Sequence, residues 1–246
     1  MYGFLKRLDL RLYYYPYIRI PENLETLLND PEINLKPEVL NKELLLTKLL
    51  NITYPNIKAG LTEDYFYKKL VKYFPSKIFR NRTYRNHDFI LRPYSPDFLY
   101  LDEKAKLCIA IEIDEPYVAE TGKPIHNLYD NDEFSREEEF LSFGWIIVRF
   151  SEKQIVEFHK RCCKEIANIV SILKFENCLI PDLINEKWLS YDRRWNGYEA
   201  YKMALNRYRS SYLSKSLTKG VDIDNFTNDE IEKFDNPFLY DNGLLF

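Results

Sequence analysis

At 246 residues, with 46% hydrophobic and 16% aromatic side chains, the chain can bury a full core, which excludes a disordered protein. Its formal net charge of −3 excludes coating of nucleic acid through a global positive field and leaves only local basic patches for that purpose. No run of eighteen apolar residues occurs, and Met1–Asp9 lacks the apolar stretch of a signal peptide, so a cytoplasmic protein with no membrane partner is expected.

In chain order, residues 1–60 carry an aromatic text, Tyr13-Tyr14-Tyr15-Pro16-Tyr17, and a Leu-rich stretch from Val39 to Leu50 with helical character; they are expected to form an N-terminal appendage. A helix is expected to open at Thr62, as its cap, with Glu63 and Asp64 at its positive end. Phe66, Leu70, Tyr73 and Phe74 follow at helical spacing until Pro75. Glu63 precedes Phe66 by three positions and Leu70 by seven, which puts it on the inward stripe. Lys77, Arg80, Arg82 and Arg85 then crowd the segment before the next strand.

Ser95-Pro96-Asp97-Phe98-Leu99-Tyr100-Leu101 reads as a strand opening on a Pro-Asp pair, since proline suits a strand's first residue. In the next strand Ile109, Ile111 and Ile113 alternate with Ala110, Glu112 and Asp114, so period two places the isoleucines on one face and both carboxylates on the other. Two acids on a strand of buried residue types repel each other unless a positive charge intervenes, and an all-oxygen site suits magnesium or manganese. The plainer alternative is a solvated sheet face.

After the loop Thr121-Gly122-Lys123-Pro124-Ile125-His126, Ser135-x-x-Glu138 reads as a capping box opening a helix that Gly144 ends. Trp145–Phe150 reads as a buried strand, and Ser151-x-x-Gln154 as a second capping box for a helix carrying Ile155, Phe158, Cys162, Ile166 and Ile169. The order helix, strands, helix, strand, helix predicts an α/β fold, a mixed central sheet flanked by helices. Residues 61–175 form the expected core. Residues 176–246 form a mainly helical extension, with a helix around Glu199 to Tyr212 and another capped at Thr227-x-x-Glu230. Its arginines and tyrosines, Arg193, Arg194, Tyr198, Tyr201, Arg207, Tyr208 and Arg209 among them, suit either phosphate tracking with base stacking or a solvated helix face over core tyrosines. The four cysteines, Cys108, Cys162, Cys163 and Cys178, show no Cys-x-x-Cys spacing and are expected to be reduced and buried.

Glu63 on a helix, Pro96-Asp97, Glu112-Ile113-Asp114, His126, Arg136, Gly144-Trp145 and Ile147-Val148-Arg149-Phe150 together resemble the very-short-patch-repair branch of the PD-(D/E)xK nuclease superfamily and its endonuclease-like relatives. The resemblance covers roughly residues 62–172 and implies a restriction-endonuclease-like core and metal-dependent hydrolysis of phosphodiester bonds, with DNA the expected substrate. It implies Asp97 and Glu112 as ligands of Mg, or Mn, with Glu63 completing the site; on the mechanism expected here, Asp114 or Glu63 holds a metal water or a second ion. Asp114 stands where the superfamily usually carries lysine. In the repair branch that lysine is also missing and loop histidines assist, which points to His126 as the general base or water-positioning group. Arg136 is the expected phosphate contact, against the plainer reading of a salt bridge to Glu133 or Glu139; Arg82 and Arg85 are further nucleic-acid contacts. The alternative function is a nuclease-like fold that no longer cuts and serves as a nucleic-acid-binding or protein-interaction subunit of a defence or mobile-element system, with the C-terminal extension as the docking surface for a protein partner.

Overall fold

A computed structural model of the protein describes residues 13–29, 52–53, 61–80, 83–84, 95–128, 130–174 and 180–217. The Val39–Leu50 helix, Arg82, Arg85, His87, Cys178 and the Thr227 cap lie outside the described residues.

Chain order among these residues is β1 (Tyr14–Tyr15), β2 (Tyr17–Arg19), α1 (Glu22–Asn29), β3 (Ile52–Thr53), α2 (Leu61–Tyr73), β4 (Ile78–Phe79), β5 (Thr83–Tyr84) and β6 (Phe98–Asp102). Then come β7 (Leu107–Asp114), α3 (Asn131–Ser142), β8 (Ile146–Ser151), α4 (Glu152–Lys174), α5 (Pro181–Ile184), β9 (Asp192–Arg193), α6 (Gly197–Leu205) and α7 (Ser210–Leu217). The α/β class read from the sequence is present: five strands in the order β2-β8-β7-β6-β4 form a mixed sheet flanked by helices. β7 and β8 run parallel, joined by the α3 crossover, and the remaining neighbours are antiparallel.

Period two sorts the sheet into two faces. Ile109, Ile111, Ile113, Ile146, Val148 and Phe150 pack with Phe66 and Leu70 of α2 and with Ile155, Cys162, Ile166 and Ile169 of α4. Cys108, Ala110, Leu99 and Ile147 face the other way and pack with Phe140 of α3 and Trp145, whose rings stack at 5.1 Å. The face holding Glu112 and Asp114 is therefore a second interior under α3: Glu112 and Asp114 are both buried. The solvated-face alternative does not hold.

The outer segments are built into this core. β2, expected in an N-terminal appendage, is the edge strand of the sheet, pairing Ile18 with Val148. β1 pairs with β9 from the C-terminal third, and Gln154 Nε2 donates to both Tyr15 O (3.1 Å) and Ser190 O (2.9 Å). Trp195 packs on Tyr15, 5.3 Å between ring centroids.

Several local expectations changed with their neighbours. α3 begins four residues before Ser135: Asp130 caps it by accepting from the Asp132 and Glu133 amides, and Ser135 Oγ bonds back to Asn131 O. Gly144, at φ 78°, ends that segment in the left-handed region as expected. Ser151 and Gln154 do form the reciprocal cap of α4, at 3.2 and 3.3 Å. That helix bends at Phe158, which has φ −139° and ψ 34°. Asn196 and Glu199 supply a further capping box for α6. Cys108, Cys162 and Cys163 are free and buried, as their spacing implied.

Candidate functional site

Two groups of charged side chains meet at the C-terminal end of β7. The first lies under α3. Arg149 on β8 pairs in register with Glu112, so its side chain rises on the carboxylate face and is wholly buried there. Its Nη2 lies 2.6 Å from Asp114 Oδ1 and 2.7 Å from Glu133 Oε2, Nη1 lies 3.0 Å from Glu137 Oε1, and Nε donates to Asp114 Oδ2 at 2.9 Å. Tyr15 donates its hydroxyl to Asp114 (2.8 Å), and Tyr17 donates to Glu137 (2.8 Å). Arg19 adds an ion pair to Glu137 at 3.2 Å and a second to Glu138. Burial alone would raise the Asp114 carboxyl, but Arg149 and His126 hold it below the usual carboxylate range.

The second group lies at the neighbouring strand ends. Phe98 pairs with Ile111, so Asp97, one residue earlier, abuts Glu112 across the strand pair. The Ile113 amide donates to Asp97 Oδ2 at 2.7 Å. Asp97 lines a cleft of about 210 Å³ with Glu63, Thr62, Ile113, Glu115, His126, Glu152 and Arg209, so the structure brings Glu63 and His126 to Asp97. Burial, then the charges of Glu112 and Glu63, push the Asp97 carboxyl well above the usual range. Glu112 is also raised, chiefly by burial, against the pull of Arg136 and Arg149.

Neither Glu112 nor Asp114 is among the residues that line the cleft; Glu112 stands behind Asp97 across the strand pair, and the Asp114 carboxylate is engaged by Arg149 and Tyr15. Its position relative to Glu112, two residues on along one face, carried it into the Arg149 group rather than toward Asp97. Arg136 reaches neither Glu133 nor Glu139 as its ion-pair partner but Glu112, Nη2 to Oε1 at 3.3 Å. Two other basic candidates are committed elsewhere: Arg80 pairs with Asp64 (2.7 Å) over the Tyr67 ring, and Lys77 with Asp102 (3.1 Å).

His126 links the two groups. It holds a left-handed backbone, φ 49°, uncommon for a residue with a Cβ. Its Nδ1 meets Glu133 in a short contact and lies 3.7 Å from Asp114, while Nε2 lies 3.9 Å from Glu115 on the cleft side. Burial would lower its pKa, but Asp114, Glu133 and Glu115 raise it to about 9. The raised pKa favours the imidazolium, a proton donor, at neutral pH, with Arg149 Nη2 also 3.2 Å from Nδ1. His159, by contrast, is driven to about 4 by burial and nearby lysines and bonds Tyr65 at 2.7 Å.

Sequence reasoning assigned no site role to Arg149, Glu137, Tyr15, Glu115 or Glu152; it read Glu133 only as a salt-bridge partner for Arg136, and Arg209 only as part of a basic, tyrosine-rich C-terminal cluster. Arg149 left a signal: it interrupts Ile146-Ile147-Val148 and Phe150, and a charge inside a buried strand requires a partner on the same face.

Asp97, Glu112 and Glu63 offer only oxygen donors, and the crowding that raises Asp97 is what a divalent cation relieves, so the chemistry fits magnesium or manganese. Among the described residues, however, no three or more His, Cys, Asp or Glu side chains are already arranged to hold a metal ion. Glu112 is turned toward Arg136, and Asp97 toward the Ile113 amide.

The molecule is thus an α/β protein with a mixed five-stranded sheet and a carboxylate-rich cleft at the end of its central strands. No protein-family model, curated protein or solved structure matches the chain. Among the described residues, no helix is long and apolar enough to cross a membrane.

Proposed function

We propose that the chain is a metal-dependent endonuclease of the PD-(D/E)xK type acting on DNA. The observation that carries this reading is Asp97: a partly buried acid set against Glu112 and Glu63 in the wall of an open cleft, its pKa raised first by burial and then by their charges. The order α2, β4, β6, β7, α3, β8, with three antiparallel strands and a fourth parallel to the third, also supports a restriction-endonuclease-like core.

Asp97 and Glu112 would hold a magnesium or manganese ion, with Glu63 beside them; such an ion supplies an acidified water and offsets charge on the scissile phosphate. The chain's own residues do the rest. The Ile113 amide fixes the Asp97 carboxylate through Oδ2. Arg136 holds Glu112 and, released from it, presents a guanidinium to a phosphate oxygen. His126, positively charged and pinned at Nδ1 by Glu133, directs Nε2–H toward the cleft, where it is suited to donate to a phosphate oxygen or to protonate a departing alkoxide. Its role thereby changes from general base to cation and acid. Asp114 acts at one remove, by keeping His126 and Arg149 charged.

One observation favours a second reading, a nucleic-acid-binding or protein-interaction fold that does not cut: Glu112 already has a cationic partner in Arg136. Incubation of the purified chain with supercoiled, linear and single-stranded DNA separates the two. Magnesium-dependent cleavage that disappears in Glu112→Gln supports the nuclease; binding of the same DNA with no cleavage in magnesium or manganese supports the second reading.

A further inference from the structure

A third charged group stands behind the cleft, and it ties the C-terminal segment to the carboxylates. Glu152, the first residue of α4, is buried, and its two oxygens accept four hydrogen bonds. Thr62 Oγ1 and Arg209 Nη2 donate to Oε1, each at 2.8 Å; Arg209 Nε and Tyr212 OH donate to Oε2, at 2.8 and 2.7 Å. This saturates the acceptor capacity of the carboxylate. Arg209 is further clamped to the loop after β7, donating Nη1 to Tyr117 O and its amide to Tyr117 OH, both at 3.2 Å.

The four segments joined here are the first turn of α2, the start of α4, the loop after β7 and the turn before α7. Thr62 comes immediately before Glu63, and Thr62, Glu152 and Arg209 all line the cleft with Glu63 and Asp97. The Thr62 hydroxyl, expected to cap α2, is spent on Glu152 instead. A buried ion pair is a weak source of net stability compared with apolar packing of the same volume, so a four-fold saturated one beside a cleft is better explained by the geometry it imposes.

We infer that Arg209 is a positioning residue for the carboxylate cluster: through Glu152 and Thr62 it fixes the first turn of α2, and so the placement of Glu63 against Asp97. Arg209, read from the sequence as part of an extension, is then part of the wall of the site. The inference rests on the reading of Asp97 and Glu112 as cation ligands.

The test is calorimetric titration of the full chain with MnCl2. Direct outer partners of metal ligands are worth about tenfold to a hundredfold in affinity; Thr62 and Arg209 act one step further out, through Glu152, so Thr62→Val and Arg209→Lys should each weaken Mn²⁺ binding measurably but by no more than about tenfold. Lysine keeps the charge but not the two-pronged contact with Glu152. Thr62→Ser, which restores the hydroxyl, should restore wild-type affinity. Leu173→Ala, a core truncation at the far end of α4, should lower the melting temperature without moving the Mn²⁺ constant. Should Arg209→Lys fail to fold, Thr62→Val against Thr62→Ser decides alone. Wild-type uptake of Mn²⁺ with an unchanged constant in Thr62→Val overturns the inference and leaves the metal reading standing; a wild-type chain that takes up no Mn²⁺ overturns both.

Discussion

The Arg149 group and the Asp97 cleft are built from the same strand, yet they are opposite electrostatic solutions. Around Arg149, three carboxylates are met by a guanidinium, an imidazolium and two tyrosine hydroxyls, all at hydrogen-bond distance. Around Asp97, burial and then the neighbouring charges of Glu112 and Glu63 raise the carboxyl, and among the described residues the Ile113 backbone amide is its close donor. The first arrangement spends charge on holding β2, β7, β8 and α3 together. The second keeps charge crowded in a cleft, where folding alone gains nothing from it. β7 thus reads as a divider, with Asp114 given to structure and Glu112 shared between Arg136 and the site.

If that division is right, the largest stability loss should come from the first group. Arg149→Met removes the one wholly buried cation that Asp114, Glu133 and Glu137 share, leaving them only His126 and Arg19, and should cost about 3 kcal/mol in urea unfolding, the lower end for breaking a buried pair from one side. A loss near zero would mean that the three acids are accommodated without Arg149.

pH provides the next cut. The folded pKa of His126 is raised to about 9 from an ordinary 6.5, so its contribution is complete below 6.5 and lost as pH rises through 9. Urea midpoints should therefore fall between pH 6.5 and 9, and His126→Gln should flatten that slope. At the acid end the sign reverses: Asp114, held low by Arg149, contributes above its unfolded pKa and loses its contribution only as pH drops below it.

A smaller effect is expected from Tyr15→Phe, which removes one hydroxyl from a carboxylate that keeps Arg149. It should cost about 1.5 kcal/mol, the lower end for a hydrogen bond to a charged group, with DNA cleavage retained. The smallest belongs to Lys72→Ala. Its pair with Asp182 at 3.0 Å is open to solvent on both sides, and neither the urea midpoint nor cleavage should move measurably.

How much of this was legible differs between the two groups. The placement of Asp97 beside Glu112, and of Glu63 in the cleft with Asp97, was legible from strand alternation and helical spacing because each rests on local periodicity and one cross-strand register. The role of Asp114 was not, because it depends on Arg149, 35 positions away, and on Tyr15, 99 positions away. The same holds for His126, whose protonation is set by acids from β7 and α3 rather than by its loop. Period two did place the isoleucines on one face correctly, but it carries no information on what covers the opposite face. The α3 cap failed for a local reason: Ser135-x-x-Glu138 fits the capping pattern, while Asp130 five residues earlier fits the backbone. The segments expected as appendages supply an edge strand and the Arg209 wall, pairings of long sequence separation that composition does not record.

The most direct measurement is the melting temperature of the wild type and of Asp97→Asn, each with and without magnesium. A carboxyl whose folded pKa is raised weakens folding at pH values above its unfolded pKa, so the metal-free variant should melt above the metal-free wild type at neutral pH. Magnesium should raise the wild type, by binding the folded state alone, and leave the variant where it is. A variant that melts below the wild type, with both proteins responding equally to magnesium, would contradict the account.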